Sequence, residues 1–540
     1  MSCLPSGGSA PKSNIKENIM KARIHAPETA GRRILRGLLA VILAAVSTAP
    51  AFAQLRRLVD FCTAVELTPG TIQTAFVPGV GDDLVVRWVD QNLADRKVVV
   101  IVNGNSFSDG DYEELAQHLA LNGFITAVLE RPDVLGDQGA MVIDAIEATL
   151  NEVNIDPAAA GLEIALMGHS KGGQDIVSAA ELNTAAGWPL PITTLVGLSP
   201  RSTEDTDLSG WDASAYLVIY GSQDEDLHDF GLHNASFRSY DQAGTEESTI
   251  CTSPPCVLLQ PKLDKTMIYV YGADHAGLIG ISIHLALLPQ GLDYVHADDQ
   301  FCLVRAYSTA FLRWRLYDET GYEVMFRDGW RPTSVADITT FEEDELGNPA
   351  GSPLQAYFQI SPAERLRILG FQDGAGLPTV TGPVSIVHRP AGSLVGNPNY
   401  VRHMTGYGEL RWESGMVGKS IRWWLPGNAR DASSMDYFSI RMGQLQGAVA
   451  PWQNTPGTDV QVVLGLEDGR GHFSWHPATV PYPDLYAGDA GPARSAMSTT
   501  RIPVSDLTGL DLTDIERVWI NLPFTSGTLI VDSIEWQRDQ

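Results

Sequence analysis

The sequence predicts an α/β domain, built on a mostly parallel sheet flanked by helices, followed by an all-β sandwich. Three observations carry this reading. Up to about residue 330, short β-branched runs alternate with segments of helical periodicity. Over 332–356 an acidic stretch rich in Pro and Gly reads as a linker (Glu342 to Glu345, Gly347, Pro349, Gly351, Pro353). From 357 to 540 helical periodicity nearly vanishes, and short strands alternate with Gly, Asn, Asp and Pro turns. The 540 residues, 44% of them hydrophobic, suffice for more than one core. With only 19% charged residues, a coiled coil or a largely disordered chain is excluded.

The first 53 residues read as an export leader, not as fold. Arg32, Arg33 and Arg36 form a basic start, Leu38 to Thr48 an apolar run, and Ala51-Phe52-Ala53 a small-x-small cleavage site. The run falls short of the roughly 20 residues that a membrane span needs, and no other stretch qualifies. The protein is therefore expected to be secreted or periplasmic. Beyond residue 53, 30 basic residues face 63 acidic ones, a net charge of −33. Such a field disfavours nucleic acid and anionic lipid as partners. Four cysteines remain, Cys62, Cys251, Cys256 and Cys302. An even number in an exported chain suggests two disulfides. The short loop between Cys251 and Cys256 favours a local bridge, leaving Cys62 with Cys302, although three pairings are possible. No His or second Cys pair at ligand spacing supports a zinc site instead.

Element by element, Lys97 to Val102 is a buried-strand run. Asp111 to Asn122 has helical spacing (Leu115, Leu119) and stops at Gly123. Strands follow at Phe124 to Leu129, Leu162 to Met167, Ile192 to Gly197, Tyr216 to Tyr220 and Met267 to Tyr271. Helices fall at Met141 to Asn151, Gln174 to Asn183 and Ala306 to Tyr317. In the second half, strands are expected at Ser420 to Leu425, Tyr437 to Met442, Val460 to Leu466, Thr499 to Pro503, Arg517 to Leu522 and Thr528 to Asp532.

Gly168-His-Ser170-Lys-Gly172 lies between a buried strand and a helix that begins with small residues. That is the strand–turn–helix setting of a nucleophile elbow, where small neighbours leave room for a strained serine. A serine hydroxyl is a poor nucleophile until a base takes its proton. The base and its acid are therefore sought at the ends of later strands. Asp224 follows Tyr216 to Tyr220, with Asp226 as runner-up, and His275 follows Met267 to Tyr271 between small residues. His118, His228, His233, His284 and His296 lack that setting. An oxyanion hole needs two N–H donors. The residue after the nucleophile, Lys171, supplies one, and the loop after Lys97 to Val102 supplies the other, assigned to Asn105. The Lys171 side chain is expected to be solvated. The order Ser170, Asp224, His275 is that of α/β-hydrolases.

On these residues, 95–320 resembles the α/β-hydrolase superfamily. The run from Val102 through Tyr112-Glu-Glu-Leu to Gly123-Phe124, with the Gly-His-Ser-x-Gly-Gly elbow, resembles the branch of dienelactone hydrolases, chlorophyllases and cutinase-like polyester hydrolases. The resemblance implies ester hydrolysis through an acyl-enzyme, without cofactor or metal. Asn103-Gly104-Asn105 departs from the His-Gly or Pro-Gly-aromatic common in that loop. The C-terminal strands resemble galactose-binding-like jelly rolls, including carbohydrate-binding modules. That second resemblance implies a structural calcium near Asp532 and Asp373. Seven of the twelve Trp lie beyond 357, as core or as a stacking surface. The expected substrate is an ester, with polymeric and lipid esters as the classes in view. Peptidase or amidase chemistry on the same triad and a non-catalytic recognition protein are the alternatives.

Overall fold

The computed structural model describes residues 60–62, 67–132, 138–187, 190–201, 215–221, 224, 239–240, 264–270, 272–281, 295–327, 332, 334–335, 354–359, 365–370, 379–381, 384–389, 407–414, 419–425, 427–445, 451–452, 454–455, 458–481, 497–523 and 525–538. The N-terminal 53 residues, Asp226, Cys251 and Cys256 lie outside them, as does Asp373. Of Asp532 only the backbone is described.

Strand β1 (Gln73–Phe76) and strand β2 (Asp83–Trp88) are antiparallel neighbours at one edge of a nine-stranded sheet. Then come β3 (Lys97–Val102), β4 (Ile125–Glu130), β5 (Glu163–His169), β6 (Ile192–Leu198), β7 (Ala215–Gly221) and β8 (Asp264–Val270). The spatial order is β1-β2-β4-β3-β5-β6-β7-β8, and every pairing from β4 to β8 is parallel. All but the first residue of β3 is buried. This is why Lys97-Val-Val-Val-Ile-Val102 shows no polar alternation: a parallel strand with helices on both faces has no wet side.

Among the described residues, four helices longer than eight residues cover the sheet. Helices α2 (Gly139–Glu152) and α3 (Lys171–Ala186) pack on one face, and α1 (Glu113–Leu121) and α4 (Ala297–Tyr317) on the other. Alternate residues of the strands divide between the faces. Val98, Val100 and Val102 meet Ile143, Ile146, Ile176 and Val177 in one core. A short helix, α5 (Glu323–Arg327), follows α4. Cys62 is bonded to Cys302, with their Cα atoms 4.5 Å apart, tying the start of the described chain to α4. Among the described residues no helix is long and apolar enough to cross a membrane.

The ninth strand, β9 (Leu354–Gln359), runs antiparallel to β8 and closes the same sheet. The boundary expected at 356/357 therefore falls inside a strand of the α/β sheet. Strand formation here satisfies the free edge of β8, which a linker would leave open.

Beyond β9 the chain forms two antiparallel sheets. One has the order β12-β13-β20-β15-β18 and comprises β12 (Val384–Arg389), β13 (Tyr407–Trp412), β20 (Gly527–Gln537), β15 (Tyr437–Gln444) and β18 (Met497–Pro503). Strand β20 also pairs with β10 (Arg365–Gly370), so β13 and β10 share one of its edges. The other sheet has the order β11-β14-β19-β16-β17: β11 (Thr379–Thr381), β14 (Ser420–Trp424), β19 (Ile515–Asn521), β16 (Val460–Asp468) and β17 (Phe473–Val480). Period-two alternation sends Phe438, Ile440, Val462, Leu464, Val518, Ile520 and Val531 into one core between the sheets. Trp412, Trp423 and Trp536 are buried in it, and Trp536 Nε1 donates to the Ala429 carbonyl at 2.8 Å.

Candidate active site

In the sheet, β4 and β5 lie on opposite sides of β3. Chains leaving neighbouring strands in opposite directions open a crevice at their carboxyl ends, where ligands bind in open α/β sheets. Ser170 follows β5 at this end of the sheet, and the loop after β3 lies against it.

Ser170 sits between the last residue of β5 and the first of α3 with φ +54° and ψ −120°. A non-glycine residue there carries strain on the order of 1–3 kcal/mol, which the surroundings must impose. They do so through the main chain. The Ser170 N–H donates to the Leu198 carbonyl at 2.9 Å, and its carbonyl accepts from Gly173 at 3.0 Å and Arg201 at 2.7 Å. The glycines are required by space. A Cβ on Gly168 would lie 2.3 Å from the Gly172 carbonyl oxygen, and one on Gly172 would lie 2.4 Å from that of Val102. The strand–turn–helix expected around this motif is present, with Ser170 at the turn.

Asp224, just past β7, is completely buried, and His275, just past β8, nearly so. His275 Nδ1 lies 2.9 Å from Asp224 Oδ1. A carboxylate only accepts, so Nδ1 carries a proton, and in a neutral ring Nε2 would then be an acceptor. The strip carrying His275 is itself pinned from α4. The Asp274 N–H donates to Gln300 Oε1 at 3.1 Å, and Gln300 Nε2 returns to Asp274 Oδ2 at 3.0 Å. The ring of His169, next to Ser170, lies 4.5 Å from that of His275.

The loop after β3 lies directly on the elbow. A Cβ on Gly104 would come within 3.0 Å of Ser170 Cβ, so the backbone approaches as closely as a glycine permits. Lys171 opens α3, so its N–H has no intrahelical acceptor. Among the described residues the Asn105 N–H likewise donates to no backbone carbonyl.

The Lys171 side chain departs from expectation. It is only 2% exposed, with Nζ 3.0 Å from Asp175 Oδ1 one turn along α3. Asp175 in turn pairs with Arg131 Nε at 2.7 Å, and Arg131 Nη1 donates to the Asn105 carboxamide. The elbow points the first turn of α3 into the sheet edge, which buries a side chain that a surface helix would expose. Burial pushes the Asp175 carboxyl up, with Lys171 and Arg131 working against it, and the net shift is upward. Sequence reasoning passed over Arg131 and Asp175. The i, i+4 spacing of Lys171 and Asp175 was the available signal.

A pocket of about 270 Å³ opens beside the same loop, lined by Asp82, Ser106, Phe107, Ser108, Glu130 and Arg131. Close to it, carboxylate oxygens of Asp83, Asp109 and Glu130 lie within 4.8 Å of one another, the one such trio of His, Cys, Asp or Glu among the described residues. Glu130 there already accepts the Asp109 N–H at 2.9 Å.

In the second half of the chain the tryptophans divide. Trp424 and Trp475, with Phe473, are about half exposed on the outer face of the five-stranded sheet. Phe473 and Trp475 stack with ring centres 5.6 Å apart, and Trp519 meets both edge-on. The Trp475 ring lies across Gly465 of the neighbouring strand, where a Cβ would be 2.3 Å from it. No protein-family model matches the chain, and no curated protein sequence does.

Proposed function

We propose that this chain is an exported serine carboxylester hydrolase of the α/β-hydrolase type. The observation that carries the reading is a buried His275–Asp224 pair, 2.9 Å apart, at the same sheet edge as a serine held at positive φ. In this mechanism Ser170 attacks the ester carbonyl while His275 Nε2 takes its proton. Asp224 holds the tautomer and steadies the imidazolium that forms. The N–H groups of Lys171 and Asn105 receive the charge on the carbonyl oxygen. His275 then returns the proton to the leaving alcohol, and water, activated by the same ring, frees the acyl group. The chemistry asks for no cofactor. A calcium site at the jelly-roll-like end remains an expectation of the resemblance alone. The aromatic face of Phe473, Trp475 and Trp424 supports a polymeric or otherwise extended ester as substrate, since flat exposed rings suit surfaces and chains.

The test is Ser170→Ala. Loss of p-nitrophenyl ester cleavage and of fluorophosphonate labelling, with an unchanged circular dichroism spectrum, is the expected result. A variant that keeps full activity would end the assignment. Wild-type protein that takes no label would point to the recognition-protein reading. Parallel assays on peptide amides separate esterase from peptidase.

A further inference from the structure

A chain of hydrogen bonds through two buried side chains runs beneath the proposed site and touches three of the segments that build it: the loop after β3, the elbow and the strip carrying His275. The Gly104 N–H donates to Tyr112 Oη at 2.9 Å. Tyr112 Oη lies 2.8 Å from His169 Nδ1. His169 Nε2 lies 3.1 Å from the His275 carbonyl oxygen. Tyr112 and His169 are 1% and 0% exposed, so bulk water does not compete for these links.

The directions follow from valence. A carbonyl oxygen can only accept, so His169 carries its proton on Nε2. In the neutral ring Nδ1 is then an acceptor, and the Tyr112 hydroxyl must donate to it. The phenol oxygen accepts the Gly104 N–H, and every proton in the chain has one destination. Burial, reinforced by neighbouring His275, holds the His169 imidazole well below its ordinary range and keeps it neutral.

We infer that Tyr112 and His169 are positioning residues: a directional strut that turns the Gly104 N–H inward, leaves Asn105 to face the reacting carbonyl, and fixes the backbone of His275 against the elbow. This rests on the hydrolase reading and adds two residues to it that never meet substrate. Gly104 is committed to Tyr112, so it cannot serve as an oxyanion donor. The strut also links the donor loop to the strip carrying the base, so loosening either end should disturb both.

The experiment is Tyr112→Phe in the full chain, which deletes one oxygen and keeps the ring. A loosened donor loop should lower kcat by about 10- to 100-fold with KM within about twofold, because misplacement of about 1 Å costs on the order of 100-fold while the strut makes no substrate contact. His169→Asn keeps an acceptor for Tyr112, and His169→Gln keeps a donor for His275. Each should exceed His169→Leu in kcat, which fills similar space without a polar group, a difference that packing alone would not give. Nitrogen-15 spectra of wild type should show His169 as the Nε2–H tautomer. If Tyr112→Phe proves unstable at assay temperature, the two His169 variants and the tautomer decide. Wild-type kcat in stable Tyr112→Phe, or an Nδ1–H tautomer, overturns the strut. A wild type that fluorophosphonate does not label instead overturns the hydrolase reading, and the positioning role with it.

Discussion

Gly172→Ala tests whether close contact between α3 and β3 sets both stability and rate. Gly172 has helical backbone geometry, so propensity alone favours alanine by about 0.5–1 kcal/mol. The surroundings oppose it. The new Cβ would stand 2.4 Å from the Val102 carbonyl oxygen and 2.5 Å from that of Asn103. Carbon and oxygen sit comfortably at about 3.3 Å, so the helix and the end of β3 must separate by roughly 0.9 Å. Both obstacles are backbone, and no rotamer change relieves them. Overpacking of this kind costs about 1–3 kcal/mol, which outweighs the propensity gain. The displaced segment is Val102–Asn103, next to the proposed oxyanion donor, so kcat should fall by about 100-fold. Urea unfolding followed by tryptophan fluorescence reads the first effect, and initial rates on a p-nitrophenyl ester read the second. Gly427→Ala, where nothing lies within 4 Å of an added Cβ, is the control and should be neutral within about 0.5 kcal/mol. A Gly172→Ala protein with wild-type midpoint and wild-type kcat would show slack between α3 and β3 and refute the reasoning.

Other predictions concern the scaffold. Burial, and secondarily Arg305, lowers the His118 pKa from its usual 6.5 to about 4. The unfolded chain binds the proton first, so this group's contribution is complete above pH 6.5 and is lost as pH falls towards 4. It amounts to about 3 kcal/mol, and His118→Gln should flatten that part of the urea midpoint–pH curve. A wild-type midpoint flat across pH 7 to 4 would contradict it. Removing the Cys62–Cys302 bond with Cys302→Ser should lower stability by about 2–5 kcal/mol, since it closes a loop of 240 residues in sequence. A reductant should then shift the wild-type midpoint by more than the variant's, which already lacks this bond. Trp536→Ala should cost about 3–5 kcal/mol through a buried cavity and a lost hydrogen bond. Trp475→Ala should barely move the midpoint, yet weaken retention of the full chain on polyester or polysaccharide particles. A large loss of stability at Trp475 would instead mark it as core.

Much of the architecture was legible because burial leaves a periodic trace. The runs at Lys97, Phe124, Leu162, Ile192, Tyr216 and Met267 all became strands of one sheet, displaced by a few residues at most. Helix α4 begins at Ala297 rather than Ala306, and its signal was the acidic first turn of Asp298 and Asp299 rather than apolar spacing. Strand β17, not among the expected strands, carries Pro477, which weakens a strand pattern in sequence, yet β17 is an edge, where a missing N–H is tolerated. Strands β1 and β9 gave little signal because they are edge strands, each paired on one side only.

Local chemistry alone singled out Ser170, Asp224 and His275: a glycine-flanked serine after a buried run, and an acid and an imidazole each just past another such run. Those are properties of short segments, and a linear sequence records them. Tertiary structure alone decided that Lys171 is buried against Asp175 and that Arg131 reaches Asn105. It also decided that Tyr112 and His169 connect three loops, and that Leu354–Gln359 belongs to the first sheet. Each depends on which distant segments meet, because a side chain's solvation and its hydrogen-bond partners are set by neighbours in space, and no spacing along the chain encodes them.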